Sequence, residues 1–375
     1  MQKEKDVEVN CRKRHIFWII IIGLILHLSL IFFDHMYPNH PLEAERAQDV
    51  DVYTERSRTI LEGGVLYRDV YTEVPPGICY LLIPAYLLGN SLTVYMLYFT
   101  LFNILSALFL YHFPLSKNKI LEFRAAILFI TNPITLLAAT IKCTDEPVCV
   151  LFFLIPIYFL LKTNINLAAL SSGLGVIIKW IPGIFFPICL YKAKKNRERI
   201  QASLLFIIVI IVGFLPFYFL APDDFWGPLD RYVGTQKTEG DSLLNILSLA
   251  FSLSIPPLIR KSVFLILIAA YIYTYKKNLN PLATSTIITI AFLASFTKLQ
   301  YEYFIYLFGP LSFFIHNHRD KSMFYAVTFT IYAAHELKYS YAYFALIFSI
   351  LTILLLISFT LKLSFTQPLK ETKSQ

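Results

Sequence analysis

Runs of about 20 apolar residues, the length that crosses a hydrocarbon core as a helix, recur in this chain from residue 15 to residue 363. A bilayer offers no water to backbone N–H and C=O groups, so only helices and closed barrels can span it. The period-two alternation of barrel strands is absent. Composition agrees: 57% of the 375 residues are hydrophobic and only 15% charged, more apolar surface than a soluble domain can hide. The expected fold is all-α, a polytopic transmembrane helical bundle.

The N-terminal KEKDVEVNCRKRH followed by the apolar run 16–33 has the flanks of a signal peptide. The run is too long and no small-residue cleavage site follows, so a retained first helix with a cytoplasmic N-terminus is expected. The net charge of +8 falls between hydrophobic segments and reports topology rather than a nucleic-acid surface. Five cysteines lie at or within apolar segments without CxxC spacing, so disulfides and zinc are not expected.

Basic clusters stand at residues 3–14, 117–124, 192–199, 276–277 and 319–321 and in the tail after Lys362. If all face the cytoplasm, an even number of crossings separates each neighbouring pair. Three apolar runs, 16–33, 78–89 and 92–113, separate the first two clusters, so one of them does not cross. Residues 78–89, about a dozen after Pro75-Pro76, are too short for a span and are expected as an interfacial or re-entrant helix on the outer side. The runs 124–141, 147–161, 167–178, 182–190, 202–220, 262–275, 281–296, 303–315, 323–334 and 341–361 then alternate, with 243–257 at the outer interface. This gives about 12 spans with both ends inside. The expected organisation is one integral membrane domain over 1–363, with an outer catalytic loop at 34–91 and a cytoplasmic tail at 364–375.

This topology puts Asp49, Asp51, Glu73, Asp145, Glu146, Lys179, Asp223, Asp224, Arg231, Lys298 and Glu336 on the outer side. Residues 48–77, QDVDVYTERSRTILEGGVLYRDVYTEVPPG, are the richest in acids, arginines and tyrosines. In an extended Asp49-Val50-Asp51 both carboxylates share a side and could hold one divalent cation. In a helix Asp49 aligns with Tyr53 and Arg56, Asp51 points elsewhere, and only one aspartate can face a substrate. Capping aspartates in a solvated loop are the plain alternative. Glu73 stands shortly before Pro75-Pro76, a setting that favours an extended stretch at a helix mouth, or simply starts a helix. Lys142-Cys143-Thr144-Asp145-Glu146-Pro147 is a charged connection between spans. Lys179 and Lys298 interrupt apolar stretches, either as functional groups or as snorkelling interfacial lysines. His335 has no paired ligand nearby in the sequence.

Together these segments resemble the GT-C superfamily of membrane glycosyltransferases. DVDVYTERSRTILEGGVLYRDVYTEVPPGICYLLIPAYLLG is similar to the polyprenyl-phosphate-mannose-dependent branch, which shows an aspartate, a tyrosine, a G…lYrD turn and an E-x-P-P helix start. Both bacterial alpha-mannosyltransferases of this type and GPI mannosyltransferase I, which carries a D-x-D here, are similar. KWIPGIFFP and TKLQYEYFIYLFGPL resemble later family segments. The resemblance implies a GT-C-like bundle, with interfacial helices in the first outer loop, that moves a hexose, mannose first, by an inverting displacement. The donor would be a polyprenyl-phosphate sugar and the acceptor a glycolipid or envelope glycan, at the outer face of the plasma membrane. It implies Asp49 as general base, Asp51 as the competing assignment and Glu73 as a further acid in the same loop, with Asp145 as the second-loop aspartate. Arg68, Lys179, Arg231 and Lys298 are outer-side cations available to a phosphate, and Tyr53, Tyr67 and Tyr71 could line a sugar site. No cofactor is certain, and a divalent cation stays open. The rival from another class is a transporter or flippase for a lipid-linked sugar. It should gather polar groups near mid-bilayer on broken helices, whereas here they gather in outer loops. A non-catalytic subunit would keep the fold and tolerate loss of Asp49.

Overall fold

The computed structural model describes residues 2–37, 43–116, 119–227 and 238–365. Arg231 and residues 366–375 of the expected tail lie outside the described residues. The helices are α1 (Gln2–Met36), α2 (Glu43–Leu61), α3 (Pro76–Leu87), α4 (Leu92–Tyr111), α5 (Ile120–Ile130), α6 (Pro133–Ala139), α7 (Glu146–Leu161), α8 (Ile165–Ile178) and α9 (Phe186–Lys192). There follow α10 (Asn196–Leu220), α11 (Leu243–Phe251), α12 (Pro257–Ser262), α13 (Phe264–Lys277), α14 (Pro281–Ser295), α15 (Ile305–Leu311), α16 (His318–Leu337) and α17 (Ala342–Phe365). Among the described residues the only bridge-type pairing is an isolated one between Leu66 and Val70.

Helix starts follow local chemistry. Ser91, Asn280 and Asn317 accept the backbone N–H groups of Val94, Ala283 and Asp320, satisfying donors that a first turn leaves open. Asn132 caps Ile134, and Pro133 stands at the first position of α6, where its missing N–H costs nothing. This second start bends α5 and α6 by 56°.

Among the described residues five helices are long and apolar enough to cross a bilayer: Val9–Met36, Leu92–Tyr111, Asn196–Leu220, Pro257–Lys277 and Ala342–Leu363. The α5–α6 pair would make a sixth as one broken span. On α10 Ile207, Ile211, Val212, Leu215 and Phe219 are exposed, a surface suited to acyl chains. The expected span 323–334 lies within the 20-residue α16, and the remaining ones correspond to shorter or interrupted elements. α3, α7, α8, α14 and the broken helix Ile181–Lys192 are apolar but only 10–17 residues long, and at 1.5 Å per residue even 16 residues reach about 24 Å. The expected span 303–315 is cut into Tyr301–Phe304, Ile305–Leu311 and Ser312–Phe314. All of Ile305–Leu311 is buried. Apolar runs of this length serve a protein interior as readily as a lipid interior, and an irregular backbone survives there because protein surrounds it.

Side-chain contacts sort the helix ends into two groups. At one end His15 meets Tyr111 at 3.3 Å, Arg124 donates to the His316 carbonyl at 2.9 Å, Lys192 donates to the Leu279 carbonyl at 2.7 Å and Lys362 pairs with Asp320 at 2.5 Å. These are the residues of the basic clusters and their neighbours. At the opposite ends of α1 and α4, His35 meets Thr93 at 3.2 Å, and Thr54 of α2 donates to Asn90 at 2.7 Å. The polar residues of α2, of the α6–α7 connection and of the segment after α8 gather on this second side.

Candidate active site

α2 is a polar helix beside an apolar bundle. Asp49, Tyr53 and Arg56 stand at i, i+4 and i+7, hence on one face, and that face lines a polar cavity of about 530 Å³. Asp51 falls on another face and is exposed. Of the two conformations the sequence leaves open for Asp49-Val50-Asp51, the structure takes the helical one, in which residues two apart diverge by more than a right angle.

The next wall is the connection between α6 and α7. Cys143 adopts φ +53°, folding the chain back so that the Lys142 and Thr144 amides donate to the Leu137 and Ala138 carbonyls, each at 2.9 Å. Lys142, Thr144, Asp145 and Glu146 face the cavity from there. Lys179, just past α8, donates to Asp145 Oδ1 at 3.0 Å and to Glu146 Oε1 at 2.7 Å. Tyr306 donates to Glu146 Oε2, and the Asp145 amide donates to Tyr53 Oη at 3.0 Å. The ammonium also lies 5.6 Å from the Tyr303 ring centroid, a cation–π contact. Lys179 therefore does not snorkel outward; it ties three elements together.

Glu73 and Val74 enter from the extended stretch before α3. A Cβ on Gly77 would lie 2.8 Å from the Ile177 carbonyl oxygen, so glycine is what lets α3 meet α8 beside Lys179. The lining is completed by Glu239, Gly240, Lys298, Gln300, Glu302 and Tyr303 with His335, Lys338 and Tyr339 at the end of α16. Here Gly240, at φ +66°, passes so near Leu299 that a Cβ would sit 2.1 Å from its carbonyl oxygen. That approach lets the Asp241 amide donate to Leu299 at 2.5 Å. Asp241 then holds His335 Nδ1 at 3.0 Å and Lys338 Nζ at 2.7 Å. Burial works against the Asp241 carboxylate, but His335 and Lys338 outweigh it and hold its pKa below the usual range.

Burial pushes the Asp49 carboxyl up to about 6, and the nearby Asp145 and Glu73 carboxylates add to this against the opposing pull of Lys142 and Lys179. Burial likewise pushes the Tyr53 phenol well up, keeping it a neutral hydrogen-bonding group. A carboxylate that titrates near neutrality on the wall of a cavity lined by both acids and lysines is suited to general-base work.

Thus Asp49, Tyr53, Arg56, Glu73, Asp145, Lys179 and Lys298 line one cavity. Lys298 lies 3.7 Å from Glu239. Arg68 does not join them: it is exposed and forks onto its neighbour Asp69 at 2.9 and 2.8 Å, and together with the Val65 amide it holds that carboxyl down at about 2. Tyr71 is exposed, and Tyr67 donates to the Val74 carbonyl at 3.0 Å and lines a separate apolar pocket. Sequence reading assigned no site role to Glu146, Glu302, His335 or Lys338. His335 and Lys338 stand three apart on one helix face, a spacing that could have flagged them.

Asp145, Glu146 and Cys149 bring three potential metal-ligand atoms within 4.8 Å of one another. Lys179 already lies against both carboxylates and Tyr306 donates to the second. An ammonium in contact with both carboxylates competes with a cation for them, and Asp49 and Asp51 lie on different faces of α2, so neither set fits a divalent cation.

No protein-family model matches the chain. It is 29% identical over 185 residues to GPI mannosyltransferase 1 of Dictyostelium discoideum, across 48% of this chain and 41% of that protein. The chain thus spans about two-fifths of the length of this curated relative. Among solved structures it is similar to ArnT from Cupriavidus metallidurans bound to undecaprenyl phosphate. The TM-score is 0.52 at 13% identity, covering 93% of this chain and 76% of that one. At that identity the second likeness speaks for the fold. The sequence likeness is to a mannosyltransferase over part of its length, and the structural likeness shows a fold shared with ArnT.

Proposed function

We propose that this protein is an inverting glycosyltransferase that moves a hexose, mannose first, from a polyprenyl-phosphate carrier to a hydroxyl of a glycolipid or envelope glycan. The observation that carries this reading is the position of Asp49, on a cavity whose walls also bear Arg56, Lys142, Lys179, Lys298 and Lys338. Asp49 takes the proton of the acceptor hydroxyl as its oxygen attacks the anomeric carbon. The bond from that carbon to the phosphate oxygen breaks on the opposite side, and the phosphate leaves with the electron pair.

Cations must meet that growing negative charge. Lys179 is neutralised by Asp145 and Glu146, so its role is to fix the wall that carries them. Lys142 and Lys179 lie near enough to lower the Asp49 pKa, whereas Lys298 and Lys338, which line the same cavity, are not among the charges that chiefly shift it. An in-line displacement asks for base and phosphate on opposite sides. This division supports Lys298, whose acid Glu239 lies 3.7 Å away, as the phosphate cation, while Lys338 is already paired with Asp241 at 2.7 Å; Glu73 tunes Asp49.

The basic clusters gather at the end of the bundle opposite the cavity, which under the positive-inside rule supports a non-cytoplasmic active site. In a plasma-membrane protein this is the outer face. The same alternation of basic loops supports counting the short and broken apolar helices toward about 12 passes.

The test is transfer by purified, reconstituted protein from radiolabelled polyprenyl-phosphate sugars to a membrane lipid extract. A labelled glycolipid or glycan that appears with one donor is the expected result. Uptake or flipping of the donor without any transfer would favour a transporter and overturn the reading.

A further inference from the structure

Glu302 is a charged residue type in an unusual place. It is 5% exposed, lies in the single turn Tyr301–Phe304 outside the spanning helices, and lines the polar cavity. Its Oε2 is buried without a hydrogen-bond partner. Both sequence neighbours are anchored: the Tyr301 ring lies 4.4 Å from the His335 ring, and Tyr303 lies under the Lys179 ammonium. The backbone cannot easily carry Glu302 out to water. A buried polar atom left unpaired costs about 1–3 kcal/mol, so such an atom on a cavity wall implies a ligand group that completes it.

The chemistry of that ligand follows from the side chain's state. Burial pushes the carboxyl up to about 8, against the opposing pull of Lys142, so it is protonated at neutral pH. A protonated carboxyl offers one donor and one acceptor. A phosphate oxygen uses only donors, and the lysines of the cavity already provide those. A sugar hydroxyl both donates and accepts, and matches the carboxyl on both counts.

We infer that Glu302 is a specificity-determining residue that binds one hydroxyl of the transferred sugar in the polar cavity. This rests on the glycosyltransferase reading above and adds to it the group that reads the sugar. A site built to hydrogen-bond a hydroxyl rejects the analogue that lacks it, because the buried partner is then left unpaired.

The experiment measures equilibrium binding of a polyprenyl-phosphate mannose and each of its singly deoxygenated derivatives to the purified full chain. Wild type, Glu302→Gln and Glu302→Leu are compared. Wild type should bind one deoxy donor at least about tenfold more weakly than the parent. Glu302→Gln, which retains a donor and an acceptor, should keep that discrimination, and Glu302→Leu should erase it for that derivative alone. Glu302→Ala replaces the leucine variant if thermal melting shows the latter unfolded. Discrimination that survives both apolar replacements, or a wild type indifferent to every deoxy donor, overturns the inference. Because binding is read separately from transfer, a chain that discriminates through Glu302 yet never transfers sugar contradicts the enzyme reading and leaves the role of Glu302 standing.

Discussion

The Lys179 ammonium lies 3.0 Å from the Asp145 carboxylate and joins the end of α8 to the start of α7 across the floor of the polar cavity. Glu146 completes the arrangement at 2.7 Å from the same nitrogen. One cation therefore holds two neighbouring acids whose side chains are nearly inaccessible. Removal of that cation would leave two buried carboxylates facing each other.

Lys179→Met should accordingly be among the more damaging substitutions in the chain, with a loss of ~3–5 kcal/mol of stability. Thermal unfolding in detergent checks this. Lys179→Met combined with Asp145→Asn and Glu146→Gln should recover part of the loss. A single variant as stable as wild type would show that the ion cluster does not hold the floor.

The pH dependence follows from the Asp49 value of about 6. A general base acts only when ionised, so kcat/KM for transfer should fall about tenfold per pH unit below that value. The Asp145 carboxylate is one of the causes that raise the Asp49 pKa. Asp145→Asn should therefore move the acid limb to lower pH. A limb that stays in place, or moves upward, would contradict the coupling of these two acids.

Gly240 and Gly227 make an internal comparison. Among the described residues nothing lies within 4 Å of a Cβ placed on Gly227, whereas one on Gly240 meets the Leu299 carbonyl oxygen at 2.1 Å and requires φ +66° of a residue with a side chain. Gly240→Ala should shift the loop that carries Asp241, loosen Lys338 and His335, and lower both melting temperature and transfer. Gly227→Ala should leave the melting temperature unaltered. Equal melting temperatures for the two variants would argue against the tight passage at Leu299.

The sequence revealed the membrane character and the grouping of much of the site for physical reasons. Asp49, Tyr53 and Arg56 repeat at helical spacing, so their shared face could be read once α2 was taken as a helix. Lys179 and Lys298 stood out because charge is rare in apolar surroundings. Glu302 and Lys338 did not, since an acid among tyrosines and a lysine after a polar helix look like ordinary loop composition. Their importance comes from the long-range approach of Gly240 to Leu299, which no local pattern encodes. Arg68 misled for the converse reason: an arginine in a polar loop looks free until Asp69 is seen to satisfy its fork. The breaks within the apolar run 303–315 were not legible, because hydropathy does not distinguish lipid from protein interior.

The most direct test of the account is the turnover of Asp49→Asn beside Asp51→Asn, with polyprenyl-phosphate mannose as donor and binding of that donor measured in parallel. The predicted result is a loss of about 10²–10⁴ in kcat for Asp49→Asn with donor affinity retained, and near wild-type turnover for Asp51→Asn. Full turnover by Asp49→Asn, or a matching loss confined to Asp51→Asn, would contradict Asp49 as the base.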